Sequence, residues 1–263
     1  MIGLPDVASE GDRVGVVVLN AGMVHRVGPF RLHVELTRRL NACGYPSLRF
    51  DLSSIGDSGA SSESQSREAQ VRADVADAIN LLKQHAGCAR VVLIGLCSGA
   101  QNAHVAACTE ARVAGAVFLD GYAYRTFGFR IRHYLPRLLK AASWGRFLDR
   151  HMSRSEDGES DSNISFGVHY PALNQVREEL AGMLDRGLKL FFIYSGGISR
   201  QYNHPRQFLE CYGRLTRRPG LTSRLLSQTD HTYVLDTDRK LLFDIIEEWL
   251  ASNFPISSRS SPS

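Results

Sequence analysis

Short apolar runs alternate along the chain with longer segments whose apolar residues recur every three or four positions. The runs predict six strands, at Val14–Asn20, Tyr45–Leu52, Arg90–Leu96, Val113–Asp120, Leu188–Ser195 and Ser223–Ser227. The helical spacing predicts helices at Phe30–Cys43, Arg67–His85, Ser98–Thr109, Val176–Leu184 and Arg239–Ser252. Strands that alternate with helices predict an α/β fold, with a mostly parallel sheet covered by helices on both faces.

The interval between the fourth and fifth predicted strands is longer than an ordinary connection. We therefore predict an α/β core formed by residues 1–121 and 170–254, with a lid, residues 122–169, inserted after the strand that ends at Asp120. An apolar and basic helix is predicted in this lid around Ile131–Leu148. Residues 255–263 are predicted to form a flexible tail.

Composition narrows the class of protein. The chain of 263 residues is 43% hydrophobic and 22% charged, as is ordinary for a globular protein that buries a large core. Its five cysteines follow no paired spacing, and the N-terminal residues do not resemble a secretory signal. No apolar run approaches the roughly 20 residues of a transmembrane helix. We expect a cytoplasmic protein without a transmembrane segment.

The third predicted strand ends in a turn that carries candidate chemistry, Gly95-Leu96-Cys97-Ser98-Gly99. A nucleophile on a sharp strand-to-helix turn needs small neighbours two residues away on either side, because larger side chains collide with backbone. The following helix presents its positive N-terminal end to the sulfur, which favours a thiolate. The motif predicts that Cys97 forms an acyl-cysteine intermediate.

This turn resembles the nucleophile turn of α/β-hydrolases, with cysteine where serine usually stands. Further segments resemble one branch of that superfamily, the exosortase-system-associated hydrolases and related stand-alone hydrolases and thioesterases of bacterial biosynthetic clusters. These segments are Asn20–Pro29, Leu48–Ser53, Arg132–Pro136 and Asp230–Thr232. The resemblance implies an α/β-hydrolase fold and leaves the substrate open. We expect the early antiparallel strands of that fold to be shortened or missing, because few residues precede Val14.

His231 is the candidate base, because it follows the last predicted strand and comes after the nucleophile and the acid in the order that this fold uses. The usual acid position follows the fifth strand, but Ser195–Arg200 contains no carboxylate. We therefore favour Asp120, at the end of the fourth strand, as the acid that orients the imidazole. Asp230 stays an alternative, although a residue next to the histidine more readily orders its loop.

The remaining candidate residues surround this predicted triad. The backbone N–H groups of Ser98 and Met23 are the expected oxyanion donors. Gly22, His25, Arg26 and Tyr122 are the candidate substrate-binding residues. Arg26 either holds a substrate carboxylate or pairs with Asp51 or Asp57 as a structural bridge.

The predicted lid is rich in basic residues interleaved with apolar ones, and between residues 125 and 154 it holds a single acid, Asp149. Such a segment can dock an acyl carrier protein, a coenzyme A thioester or an anionic membrane surface, or it can be a solvated helix whose apolar face caps the pocket. No nucleic-acid motif accompanies the charge, and no Cys-x-x-Cys or His-Glu-x-x-His spacing indicates a metal. We expect no cofactor.

The function that these patterns favour is a cysteine-dependent acyl hydrolase of thioesterase or esterase type, acting on an acyl-thioester or an activated ester. One alternative is an acyltransferase or cyclase that passes the acyl group to an amine or alcohol. A third possibility is a non-catalytic docking protein on a hydrolase scaffold.

Overall fold

The structure is a computed structural model that describes residues 2–3, 13–22, 24–59, 66–139 and 170–256. Within these residues, seven strands form one sheet: β1 (Ile2–Gly3), β2 (Val14–Leu19), β3 (Ser47–Arg49), β4 (Arg90–Leu96), β5 (Val113–Leu119), β6 (Lys189–Ser195) and β7 (Leu221–Leu226). The strand order is β1-β3-β2-β4-β5-β6-β7. The two-residue β1 pairs antiparallel with β3, and the other six strands are parallel. This confirms the predicted α/β-hydrolase fold with a shortened antiparallel edge.

Helices cover both faces of the sheet. They are α1 (Leu32–Ala42), α2 (Arg67–Ala86), α3 (Ser98–Thr109), α4 (Phe127–Leu139), α5 (Leu173–Asp185), α6 (Arg206–Tyr212) and α7 (Asp236–Asn253). One apolar cluster lies between the sheet and α2, α3, α5 and α6, and a second lies between the opposite face and α1 and α7. Val16 and Val17 illustrate the alternation, because they are neighbours in β2 and belong to different clusters.

Several element boundaries differ from the sequence prediction. The first helix was expected from Phe30 but begins at Leu32, because Phe30 and Arg31 have φ angles of 47° and 64°, outside the helical region. The last helix begins at Asp236, three residues before the predicted Arg239. Asp236 and Asp238 lie in its first turn, where carboxylates interact favourably with the helix dipole.

Two strands are also shifted. β3 covers only Ser47–Arg49 of the predicted Tyr45–Leu52, and β7 begins two residues before the predicted Ser223. The chain after β3 turns away from the sheet at Asp51, whose side chain accepts hydrogen bonds from the backbone N–H groups of Arg26 and Asp57. The short helix α6 was not predicted.

Of the predicted lid, the structure describes residues 122–139, which include α4. The lid helix expected around residues 131–148 begins at Phe127, and residues 140–169 lie outside the described residues, as do residues 257–263 of the predicted tail. The boundaries of the lid and tail therefore stay predictions. Among the residues that the structure describes, no helix has the length and apolar character needed to cross a bilayer.

Candidate active site

Cys97 lies on a strained turn between β4 and α3. Its φ and ψ angles are 57° and −118°, and its backbone N–H donates to the carbonyl of Leu119 at 2.8 Å. A Cβ added to Gly95 would lie 2.1 Å from the carbonyl oxygen of Gly99, and one added to Gly99 would lie 2.7 Å from that of Asn20. The two flanking glycines are therefore required by backbone contacts, as the sequence predicted.

His231 follows β7 and lies beside Asp120, the residue after β5. The imidazole Nδ1 is 2.7 Å from Oδ2 of Asp120, whose side chain is fully buried. The same carboxylate accepts hydrogen bonds of 2.6 Å from the backbone N–H and the hydroxyl of Ser195, at the end of β6. Three donors therefore fix the orientation of a buried acid, and that acid in turn orients the imidazole.

Asp230 points away from this arrangement. Its carboxylate accepts hydrogen bonds of 2.7 Å from the backbone N–H and hydroxyl of Thr232 and one of 2.9 Å from the backbone N–H of Val234. These contacts order the loop that carries His231, which is the role that the sequence analysis gave to Asp230. The carboxylate beside the imidazole is that of Asp120.

The charge state of His231 follows from its two neighbours. Hydrogen bonds to Asp120 and then to the sulfur of Cys97 raise the pKa of His231 to about 10, against the opposing effect of burial. The raised pKa keeps the imidazole protonated at neutral pH, between the carboxylate of Asp120 and the sulfur of Cys97.

The candidate oxyanion site lies where α3 begins. Ser98 is the first residue of α3, in the turn whose backbone N–H groups have no acceptor within the helix. Its hydroxyl accepts a hydrogen bond of 2.5 Å from the backbone N–H of Gly22, which has a φ of 54°. The structure thus brings the loop after β2 against the nucleophile turn. Met23, the second predicted donor, lies outside the described residues, so its role stays a prediction.

Comparison with known proteins agrees with the fold. The sequence profile of the alpha/beta hydrolase family matches residues 16–256. The chain belongs to the alpha/beta hydrolase family. No curated protein sequence matches the chain.

Several solved structures share the fold of this hydrolase-family chain. An esterase of Pyrococcus furiosus, Pf2001, is 17% identical, with coverage of 92% of this chain and 82% of its own and a TM-score of 0.59. Est1E of Butyrivibrio proteoclasticus, with ferulic acid bound, is 11% identical, with coverage of 97% and 95% and a TM-score of 0.59. The alpha/beta hydrolase GrgF of Penicillium sp. sh18 is 15% identical, with coverage of 97% and 93% and a TM-score of 0.60. At these identities the likeness shows the fold alone.

The structure shows Arg26 in the bridge that was one of its two alternatives. Its guanidinium donates to Asp51 Oδ2 at 2.5 Å and to Asp57 Oδ2 at 2.8 Å. His25 Nε2 lies 2.9 Å from the same oxygen of Asp57. Two carboxylates therefore engage the Arg26 cation in a structural bridge. The substrate-binding roles of Arg26 and His25 stay predictions.

Tyr122, Tyr124 and Tyr170 form an aromatic cluster where the two ends of the predicted lid meet the core. Tyr122 is buried, and its ring centroid lies 6.5 Å from that of Tyr124 and 5.6 Å from that of Tyr170. Partial burial raises the pKa of Tyr170, and the charges of Cys97 and Asp120 raise it further, as expected for a phenol close to the nucleophile. Gly22 contacts Ser98 of the nucleophile turn, whereas Tyr122 lies in the buried core, and the substrate-binding roles of both stay predictions.

Sequence analysis missed Tyr170 and Ser195. Tyr170 directly follows the predicted lid. An aromatic residue at the junction of lid and core could have been proposed as a site residue from the sequence. Ser195 was noted only as part of a loop that lacks a carboxylate. It ends the fifth predicted strand, and Asp120 ends the fourth. Because neighbouring parallel strands end at the same edge of a sheet, the Ser195 hydroxyl could have been predicted to lie near Asp120.

Two groups among the described residues have donor atoms close enough to consider for a metal: His25, Asp51 and Asp57, and His104, Cys108 and Glu179. In the first group Arg26 already pairs with both carboxylates, so a cation would have to displace it. In the second group burial raises the pKa of Cys108 to about 12, which opposes the thiolate form that binds metals. The proposed chemistry of Cys97 requires neither group.

We expect Cys97 to react with iodoacetamide at pH 7 at least about tenfold faster than any other thiol, because His231 supports its thiolate. Cys43 is the internal comparison, because it is exposed to the reagent. Partial desolvation of its thiol raises its pKa, which disfavours the reactive thiolate. Burial raises the pKa of Cys88 and Cys211 to about 11. Peptide mapping by mass spectrometry measures each rate.

The matched variant for this measurement is His231→Gln, which should slow alkylation of Cys97 to the rate of Cys43. Equal rates for all five cysteines in the unmodified protein would contradict an activated site.

Proposed function

We propose that the chain is a cysteine-dependent acyl hydrolase that acts on acyl-thioesters through an acyl-Cys97 intermediate. The observation that carries the proposal is the strained Cys97 turn beside an imidazolium that a buried Asp120 holds at 2.7 Å. A cysteine thiolate is a stronger nucleophile than a serine hydroxyl. Its reaction with a thioester substrate replaces one thioester by another at little cost in free energy. A thioester is therefore the natural donor for this nucleophile.

In the first half-reaction, the Cys97 thiolate attacks the acyl carbonyl carbon and the carbonyl π electrons move to oxygen. The proposed donors to this oxyanion are the N–H groups of Ser98 and Met23. The tetrahedral intermediate collapses with cleavage of the bond to the leaving sulfur, which takes the proton from His231. The products are acyl-Cys97, a free thiol and a neutral imidazole.

In the second half-reaction, the neutral imidazole takes a proton from water while the water oxygen attacks the acyl carbon. The loss of the thiolate charge on acylation lowers the pKa of His231, so the residue can act as a base at this stage. Collapse of the second tetrahedral intermediate releases the carboxylic acid and restores the thiolate–imidazolium pair. Asp120 keeps the Nδ1 proton in place throughout.

The proposed biosynthetic role, cellular location and acyl donor rest on the sequence resemblance, the cysteines and the charge of the inserted segment. The resemblance supports a role in bacterial biosynthesis, and five unpaired cysteines suit a reducing cytoplasm. The basic residues around α4 support an acyl carrier protein or a coenzyme A thioester as the donor. Arg132 of this helix already pairs with Glu210 at 2.8 Å, so Arg125 and Arg130 are the better candidates for such a contact.

The test is the intact mass of the protein after brief incubation with a panel of acyl-thioesters. We expect an increase equal to the mass of the acyl group, absent from Cys97→Ala and retained in Cys43→Ala, which removes an exposed thiol elsewhere. Free acid as the only product in the presence of amines and alcohols would support hydrolysis over acyl transfer. Turnover without any adduct in both wild type and Cys97→Ala would contradict the proposal.

A further inference from the structure

Ser195 bonds to the acid of the proposed triad through both its backbone and its side chain. β5 and β6 pair in parallel, with Leu119 opposite Ile193. Asp120 then leaves the sheet with a φ of 48°, and its backbone N–H donates to the Ile193 carbonyl at 2.9 Å. This register brings the Asp120 carboxylate to Ser195, the last residue of β6.

The two bonds from Ser195 reach different oxygens of the carboxylate. The backbone N–H donates to Oδ1 of Asp120, and the hydroxyl donates to Oδ2, each at 2.6 Å. Oδ2 is also the oxygen that lies 2.7 Å from Nδ1 of His231. The hydroxyl therefore acts on the oxygen that holds the imidazole, whereas the backbone bond keeps the carboxylate in place without it.

The bond between the hydroxyl and the carboxylate is closed to solvent. Ser195 is fully buried, and the Asp120 side chain is likewise 0% exposed. Water therefore does not compete for this bond. A hydrogen bond to a charged group is stronger than a neutral one, and the low dielectric constant of the interior strengthens it further.

A donor on Oδ2 weakens the effect of that oxygen on its other partner. The carboxylate of Asp120 is the main cause of the raised pKa of His231. The hydroxyl hydrogen of Ser195 carries partial positive charge and draws electron density from Oδ2, so less negative charge acts on the imidazolium. The hydroxyl thus opposes the effect of the acid on the imidazole.

Other charged groups reach His231 from separate elements. Cys97 faces the imidazole from the turn before α3. The carboxylate of Asp230 is turned into its own loop, where it accepts hydrogen bonds of 2.7 Å and 2.9 Å. From the loop after β6 the neighbour is Gly197, whose backbone lies against His231 and carries no charge.

Two phenols complete the titratable surroundings of the triad. Burial raises the pKa of Tyr170 and of Tyr233, and the charge of Asp120 raises both further. Both phenols therefore stay neutral at neutral pH. A substitution at Ser195 alters none of these groups, so a change in the titration of His231 can be assigned to the lost hydroxyl.

We propose that Ser195 is a positioning residue that lowers the proton affinity of His231 through Asp120. The consequence for catalysis rests on the proposed function, whose second half-reaction needs a neutral imidazole to take a proton from water. With the Ser195 hydroxyl in place, more of the acyl-enzyme holds His231 in that form at a given pH.

The first test titrates His231 directly by NMR of its imidazole C–H groups. The background is Cys97→Ala, which removes the sulfur beside the imidazole, and the signal is assigned by its loss in His231→Gln. We expect Ser195→Ala to raise the titration midpoint of His231 by about one pH unit. Ser195→Thr retains the hydroxyl and suits the extended backbone at this position (φ −87°, ψ 162°), so it should keep the midpoint of the background.

The second test follows the decay of acyl-Cys97 in otherwise unmodified protein. The adduct is formed with the best thioester of the panel, freed of excess substrate, and measured by intact mass between about pH 5 and pH 9. Decay should accelerate with pH as the imidazole loses its proton. In Ser195→Ala the midpoint should lie about one pH unit higher, so decay at pH 7 should be about tenfold slower, while the plateau rate at high pH changes by less than about twofold.

The matched control is Ser227→Ala, which removes an exposed hydroxyl just past the end of the neighbouring strand β7. It should leave both midpoints unchanged, and an equal shift in this variant would overturn the proposal. So would an unchanged or lower NMR midpoint in Ser195→Ala. A lower plateau rate at an unchanged midpoint would likewise reduce Ser195 to a purely structural role.

The two tests separate this proposal from the proposed function. If the NMR midpoint rises but the wild type forms no acyl adduct, the effect of Ser195 on His231 stands and the acyl-Cys97 mechanism fails. If the adduct forms and decays but neither midpoint moves in Ser195→Ala, the mechanism stands and the role of Ser195 fails.

Discussion

Asp120→Asn is expected to lower kcat by about 10³ to 10⁴-fold, while Asp230→Asn lowers it by less than about tenfold. The asparagine amide fits the same space, and its oxygen can still accept from Ser195, so the fold should persist. The amide nitrogen, however, can only donate toward Nδ1 of His231. This selects the imidazole tautomer that carries its proton on the side of Cys97, and it removes the charge that raises the pKa of His231.

The comparison is between steady-state rates of the two variants on the thioester that acylates Cys97 fastest. Alkylation of Cys97 against pH is the second readout: Asp120→Asn should lower the rate near pH 7, and Asp230→Asn should leave the profile in place. If Asp230→Asn proved the more damaging change, the acid would have to be reassigned to Asp230.

Gly95→Ala and Gly182→Ala are expected to change stability in opposite directions. The alanine Cβ at position 95 would lie 2.1 Å from a backbone oxygen of the nucleophile turn, which no side-chain movement relieves. We expect the free energy of unfolding to fall by at least about 3 kcal/mol, with loss of acylation. At Gly182, inside α5, an added Cβ meets no atom within 4 Å, and alanine should stabilise the helix by about 0.5 to 1 kcal/mol.

Chemical denaturation measures both free energies, and the midpoint of Gly182→Ala should move upward at an unchanged slope. A Gly95→Ala protein with the stability and acylation rate of the wild type would show that the turn does not need this glycine.

The elements that the sequence predicted best are those whose cause is local. α3 matches its prediction from Ser98 to Thr109, and β4 matches from Arg90 to Leu96, because a β-branched run and a helical repeat meet at a turn with its own glycine signature. The choice of Asp120 over Asp230 followed from the lack of a carboxylate after the fifth predicted strand and from the place of Asp120 at the sheet edge that carries Cys97.

The features that sequence analysis missed or left open depend on distant segments. The bridge of Arg26 joins residues 25 and 31 positions apart, and the chain alone gives equal reason for a substrate contact. Ser195 bonds to a carboxylate 75 residues earlier. The start of α1 was misplaced for a different reason, because apolar spacing does not report the positive φ angles of Phe30 and Arg31.

The three members of the proposed triad follow strands whose backbone hydrogen bonds are unequally protected from solvent. Cys97 and Asp120 follow β4 and β5, which lie inside the sheet and are paired on both sides. His231 follows β7, the edge strand, whose residues 222–224 are exposed. Amide exchange and local opening begin where backbone hydrogen bonds face solvent, so the base is carried by a less protected part of the sheet than the other two. The lifetime of the assembled triad is therefore set by the opening of this edge, and the lifetime of the folded chain by the interior strands.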